Sequence, residues 1–223
     1  MSVEARALWH HFDDLEHQHE TNTLGMWTFL ATELLVFGAL FTGYTVYRNL
    51  YAPSFEEASQ HLNLLIGGGN TIVLLTSSLT MALAVRAAQI GRRQALVAFL
   101  IVTALLGAAF LGLKAVEYYL DYLDRLVPGL AFQPAEWQHD QVNPDHVRLF
   151  LLCYYIMTGL HALHLTIGIA VLAVLALLAW RGSLPAYHYT PIETWGLYWH
   201  FVDIIWIFLL PLLYLIGTRQ HLM

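Results

Sequence analysis

Apolar positions gather into five runs separated by polar, turn-containing connections: Leu24–Tyr47, Gly69–Ala88, Ala95–Tyr118, Val147–Ala179 and Ile192–Ile216. Each is about 20 residues or longer, the length at which a helix crosses a hydrocarbon layer roughly 30 Å thick. Ala, Leu and Gly dominate them, and the two-residue alternation of a barrel strand is absent, so helix is the state that satisfies the backbone in lipid. The pattern predicts an all-α, polytopic membrane bundle with five transmembrane helices over residues 23–223, preceded by a polar tail over 1–22. The fourth run, about 33 residues or roughly 50 Å of helix, is long enough to tilt or to project beyond the bilayer.

Composition supports this. Hydrophobic residues make up 58% of the chain and charged residues 12%, half the ~25% usual in soluble domains. The net charge of −6 argues against a nucleic-acid partner, and no polybasic patch marks a lipid-surface site. The first apolar run is a full span, so no cleavable signal peptide is expected. Cys153 stands alone in the fourth run, which excludes an intrachain disulfide. Arg86, Arg92 and Arg93 flank the connection between runs two and three. Asp121, Asp124, Glu136, Asp140 and Asp145 outnumber Arg125 and Arg148 between runs three and four. Positive charge stays cytoplasmic, which predicts the N-terminus inside and the C-terminus outside, with Arg48 and Arg219 on the contrary side.

In the tail, Val3, Ala7, Leu8, His11 and Leu15 suit a short amphipathic surface helix. His10, His11, His17 and His19 show no metal-ligand spacing. Gly67-Gly68-Gly69 lacks the lysine of a phosphate loop and reads as a helix mouth.

Candidate chemistry lies in ionisable residues inside the runs. His200 and Asp203 are three apart, on one face of the fifth helix. They fall roughly 12 and 16 Å along it, and Glu33 about 14 Å along the first, counted from the same side. With the fourth helix projecting, His161 and His164 reach a similar depth. Glu33, His161, His164, His200 and Asp203 are therefore expected to share one polar layer. Interhelical hydrogen bonding is the favoured role, a proton relay comes next, and a metal site on the His161/His164 pair last, because paired Glu-x-x-His motifs are missing. Lys114 and Glu117 lie one turn apart and are expected to form an ion pair near the interface. Glu193 suits the first turn of the fifth helix. Gly38, Gly43, Gly107, Gly112, Gly159 and Gly168 are candidate close helix contacts. Trp199 and Trp206, seven apart, form one stripe facing a core or a partner.

Five ordered blocks carry a resemblance: Gly25-Met26-Trp27-Thr28-Phe29-Leu30-Ala31-Thr32-Glu33; Asn70-Thr71-Ile72-Val73-Leu74-Leu75-Thr76-Ser77-Ser78; Glu117-Tyr118-Tyr119; Thr158-Gly159-Leu160-His161-Ala162-Leu163-His164; and Tyr198-Trp199-His200-Phe201-Val202-Asp203. With them the chain, from about Leu24 to Gly217, resembles subunit III of the haem-copper cytochrome c and quinol oxidases, in its five-helix form. The resemblance implies a non-catalytic accessory subunit of a terminal oxidase in a bacterial-type inner membrane. It would pack chiefly on subunit I, with subunit II and other respiratory-complex subunits nearby, and support assembly, stability in turnover and proton uptake. It implies haem and copper in partner subunits, none bound by this chain, and structural phospholipid alongside. Glu33 falls where that family carries its carbodiimide-reactive carboxyl. Lys114 departs from the family, whose members more often have a neutral residue there. The rivals are a subunit III-like partner of nitric oxide reductase, a stand-alone membrane metalloenzyme using His161 and His164, and an ion carrier. The last is disfavoured because no run is broken at mid-membrane.

Overall fold

The computed structural model describes residues 15–129, 132–137, 142–182 and 190–216, with side chains omitted for 15–20, 135 and 136. Six α-helices follow one another among them: α1 (Leu15–Leu50), α2 (Ala52–Gln60), α3 (Leu64–Gln89), α4 (Arg93–Leu123), α5 (Pro144–Arg181) and α6 (Thr190–Tyr214). All except α2 are long and apolar enough to cross a membrane. The sequence-derived spans sit inside these helices except that the fifth ran two residues past α6. The 38 residues of α5 make roughly 57 Å of helix, well beyond the hydrocarbon thickness. Residues 15–22 of the expected surface helix continue directly into α1, and residues 1–14 lie outside the described set.

Caps fix where the helices start and stop. Asn63 accepts from the amides of Leu65 and Ile66 at the mouth of α3, where the glycine triplet then falls within the first turns. Asn143 accepts from the Asp145 amide, with Pro144 opening α5. Gly182 ends α5 at φ +76°, a left-handed conformation suited to glycine. There the Arg93 guanidinium, from the start of α4, donates to the carbonyls of Ala179 and Trp180. A cation thus meets the negative end of the α5 dipole. On exposed turns, Thr28, Thr42, Thr45 and Thr76 return their hydroxyls to carbonyls four residues back.

The spans alternate in direction, so the start of α1, the α3–α4 hairpin, the end of α5 and the start of α6 share one face of the bundle. The opposite face carries α2, which the sequence pattern did not reveal. It is short, yet it buries Phe55 and Ala58 completely. Phe55 lies 5.6 Å from the Tyr44 ring and 5.4 Å from Phe150, which ties α2 across the ends of α1 and α5. Ser54 also accepts from the Asn143 amide.

Helices α3 to α6 form the packed body. Trp199 and Trp206 are fully buried in it, so their stripe faces this chain's own core. Two glycines explain how Trp199 fits: a β-carbon at Gly107 would lie 2.7 Å from its Cη2, and one at Gly168 would lie 3.1 Å from its Cζ3. Among the described residues, Gly38, Gly43, Gly112 and Gly159 meet nothing within 4 Å of such a carbon and make no close helix contact. Helix α1 lies at the side of the body. It buries Leu30, Phe37 and Tyr44 and exposes Leu24, Trp27, Leu34 and Leu35.

Candidate functional site: two separate polar centres in the bundle

The five residues expected in one layer are joined only in part. His164 on α5 meets Glu33 on α1, Nε2 to Oε2 at 3.1 Å. Its other nitrogen, Nδ1, lies 2.8 Å from the Leu160 carbonyl. A carbonyl only accepts, so Nδ1 carries a hydrogen. A single further proton then lies between Nε2 and Oε2, either as carboxyl and imidazole or as carboxylate and imidazolium. In both forms the pair is neutral overall, which is how two ionisable groups can share a bilayer interior. The Phe37 ring, 5.7 Å from His164, covers one side. The Glu33 side chain keeps 19% of its surface exposed.

The other three residues lie apart from this pair. His200 pairs with the Ser78 hydroxyl through Nδ1 at 2.7 Å, linking α6 to α3. Asp203 is buried without a close hydrogen-bond partner, and the Ser78 hydroxyl that meets His200 is the side-chain group that reaches toward its carboxyl. His161 is also buried with both ring nitrogens unpartnered, between Phe110 at 5.5 Å and Trp206 at 5.2 Å. Although three residues apart on α5, His164 meets Glu33 of α1 while His161 lies between Phe110 of α4 and Trp206 of α6, so the two imidazoles do not meet as a ligand pair. No group of three or more His, Cys, Asp or Glu suited to a metal is found among the described residues. Glu193 accepts from Gln89 Nε2 at 2.8 Å and joins the start of α6 to the end of α3.

The second centre corrects two expectations. Lys114 and Glu117 do pair, at 3.1 Å, but with 2% and 1% of their side-chain surface exposed they are buried, not interfacial. Asp121, assigned to a loop from the sequence, lies in the last turns of α4 and is buried as well. The three recur at intervals of three and four, which places them on the face of α4 turned to α5 and α6. Lys114 Nζ donates to Glu117 Oε2, to Tyr154 Oη at 2.9 Å and to Tyr214 Oη at 2.7 Å, using all three ammonium hydrogens. Tyr214 donates to Glu117 Oε1. Tyr154 lies within donating distance of both Glu117 Oε1 (3.0 Å) and Asp121 Oδ2 (3.2 Å), and Tyr155 donates to Asp121 at 3.3 Å. The i, i+3, i+7 spacing was readable, but tyrosines near span ends look like interfacial anchors, which hid the partners.

Among the described residues, two apolar grooves stand out on the bundle's sides. One, of about 440 Å³, lies between α1 and α6 and is lined by Trp27, Leu34, Phe37, Phe201 and Phe208. The other, of about 680 Å³, lies between α4 and α5 and is lined by Ile101, Leu105, Ala173, Leu177 and Trp180.

Comparison with known proteins decides what these centres belong to. A family model described as cytochrome c oxidase subunit III matches residues 134–218, the part holding α5 and α6. A cytochrome c oxidase subunit 3 from Synechocystis is 34% identical over 90% of this chain and 78% of its own length. The chain belongs to the cytochrome c oxidase subunit III family. The family reaches across donor types: a cytochrome bo(3) ubiquinol oxidase subunit 3 from Pseudomonas aeruginosa is 30% identical over 92% of this chain and 91% of its own. A probable quinol oxidase subunit 3 from Staphylococcus epidermidis is 29% identical over 92% and 94%. Within this subunit III chain, the Glu33–His164 pair joins the block around Glu33 to the Thr158–His164 block. The His200–Ser78 contact likewise joins the blocks on α6 and α3.

Proposed function

We propose that this chain is the accessory, non-catalytic subunit of a haem-copper terminal oxidase. In this reading it lies in a bacterial-type inner membrane with its N-terminus inside, packed chiefly on subunit I and near subunit II. Oxygen reduction and the haem and copper that perform it belong to those partners. Subunit III supports assembly, durability in turnover and proton uptake. The observation that carries the reading is the Glu33–His164 pair: a charge-compensated carboxyl on the least buried helix, joined to the bundle and partly open at its edge. A partner subunit seated over α1 would cover its exposed Leu24, Trp27, Leu34 and Leu35. The groove between α1 and α6 has the apolar lining to hold an acyl chain of a structural phospholipid.

Neutralising the pair tests the role. Glu33→Ala removes one partner and leaves His164 Nε2 without its hydrogen bond, which costs about 1–3 kcal/mol at the α1–α5 contact. The expected outcome is an oxidase whose initial oxygen consumption is near normal but whose activity decays sooner during sustained turnover, measured with an oxygen electrode. Complete loss of initial activity in a fully assembled complex would contradict an accessory role.

A further inference from the structure

We propose that Glu117 and Asp121 form a proton-binding site, holding one exchangeable proton that passes between them through the hydroxyl of Tyr154. The reasoning begins with charge. Lys114 contributes one positive charge and the two carboxylates two negative ones, so the fully ionised cluster carries a net charge of −1. All three residues are at most 5% exposed. Among the described residues, the groups packed around them from the other helices are Tyr154, Tyr155 and, toward Lys114, His161 of α5 and Tyr214 and Trp206 of α6, with Tyr118 on α4 itself; the ammonium of Lys114 disfavours a second positive charge on His161, and the others carry no cation. An uncompensated charge in a bilayer interior is costly, and one added proton cancels it. A metal ion is poorly suited, because the ammonium of Lys114 already sits against Glu117 and the two hydroxyls.

Geometry then says where the proton goes. Tyr154 has one hydroxyl hydrogen and two carboxylate acceptors, at 3.0 and 3.2 Å, so it satisfies one at a time. With Asp121 protonated, its O–H donates to the Tyr154 oxygen while Tyr154 donates to Glu117. Transfer breaks the Asp121 O–H bond and forms one on Tyr154, as Tyr154 gives its own hydrogen to Glu117 Oε1. One proton moves, Tyr154 ends neutral as it began, and no electrons change hands. Tyr155 and Tyr214 stabilise the two end states by donating to Asp121 and Glu117 respectively. Asp121 is the member nearest the end of α4, so it is the side from which the site fills.

Infrared spectroscopy of the full chain, in the assembly purified from its native membrane, tests this through the carbonyl stretch of protonated carboxyls. The expected result is a deuterium-sensitive band that is lost in Asp121→Asn and also in Glu117→Gln, because either change brings the ionised cluster to zero charge. Asp121→Glu should restore it at a shifted position. No change in either amide variant overturns the proton site; loss in only one overturns the sharing. If the amide variants fail to assemble, Tyr154→Phe carries the test, since it alters no charge. Deuterium exchange at the band should then slow by at least about tenfold, and an unchanged exchange rate overturns the relay.

Discussion

Replacing Lys114 with methionine is expected to destabilise the bundle by about 3–5 kcal/mol, the usual result of removing one partner from a buried ion pair. Lys114 is 2% exposed and donates to three groups on three helices. Its loss leaves Glu117 and Asp121 facing each other across Tyr154 with no cation. The companion variant Lys114→Met/Glu117→Met removes both charges and should recover most of the loss, because an apolar pair of similar volume is often as stable as a buried ion pair. Equilibrium unfolding in detergent, followed by helical circular dichroism, reads both. A single variant within about 1 kcal/mol of the parent would mean the cluster is solvated.

Trp199→Ala should lose a comparable amount, about 3–5 kcal/mol, through packing instead of charge. Trp199 is fully buried, donates from its indole nitrogen to Ser77 Oγ at 3.1 Å, and fills the space left by Gly107 and Gly168. Truncation leaves a cavity against two glycine surfaces that have no side chains to collapse into it. The reverse change, Gly107→Ala, sets a β-carbon 2.7 Å from the Trp199 ring and should cost about 1–3 kcal/mol by overpacking. Thermal unfolding of the two variants separates the cases. If Gly107→Ala matched the parent while Trp199→Ala did not, the contact between α4 and α6 would be looser than described.

These two sites also show what the sequence could reveal. The five spans were legible because a run of apolar residues has one meaning in lipid, and the five blocks carried the family. Helix α2 was not legible: it is nine residues long and mixes polar and apolar positions, so no membrane pattern marks it. The Glu33–His164 pair was legible in depth but not in direction. Helical rise sets the level of a residue, whereas the rotation of α5, which sends His164 to α1 and His161 toward Trp206, is decided by packing. The buried cluster was the least legible. Lys114 and Glu117 were visible one turn apart, but Asp121 was placed in a loop, and the partner that decides their burial, Tyr214, lies 100 residues beyond Lys114.

That this chain works inside an oxidase, and not alone, is tested most directly by recovering it through an affinity tag from its native membrane and recording the visible spectrum of what comes with it. The predicted result is a stoichiometric complex with a haem-bearing subunit I, in which changing His161 to alanine leaves the metal content unaltered. A stable, haem-free single polypeptide, or tightly bound metal that disappears with His161→Ala, would contradict it.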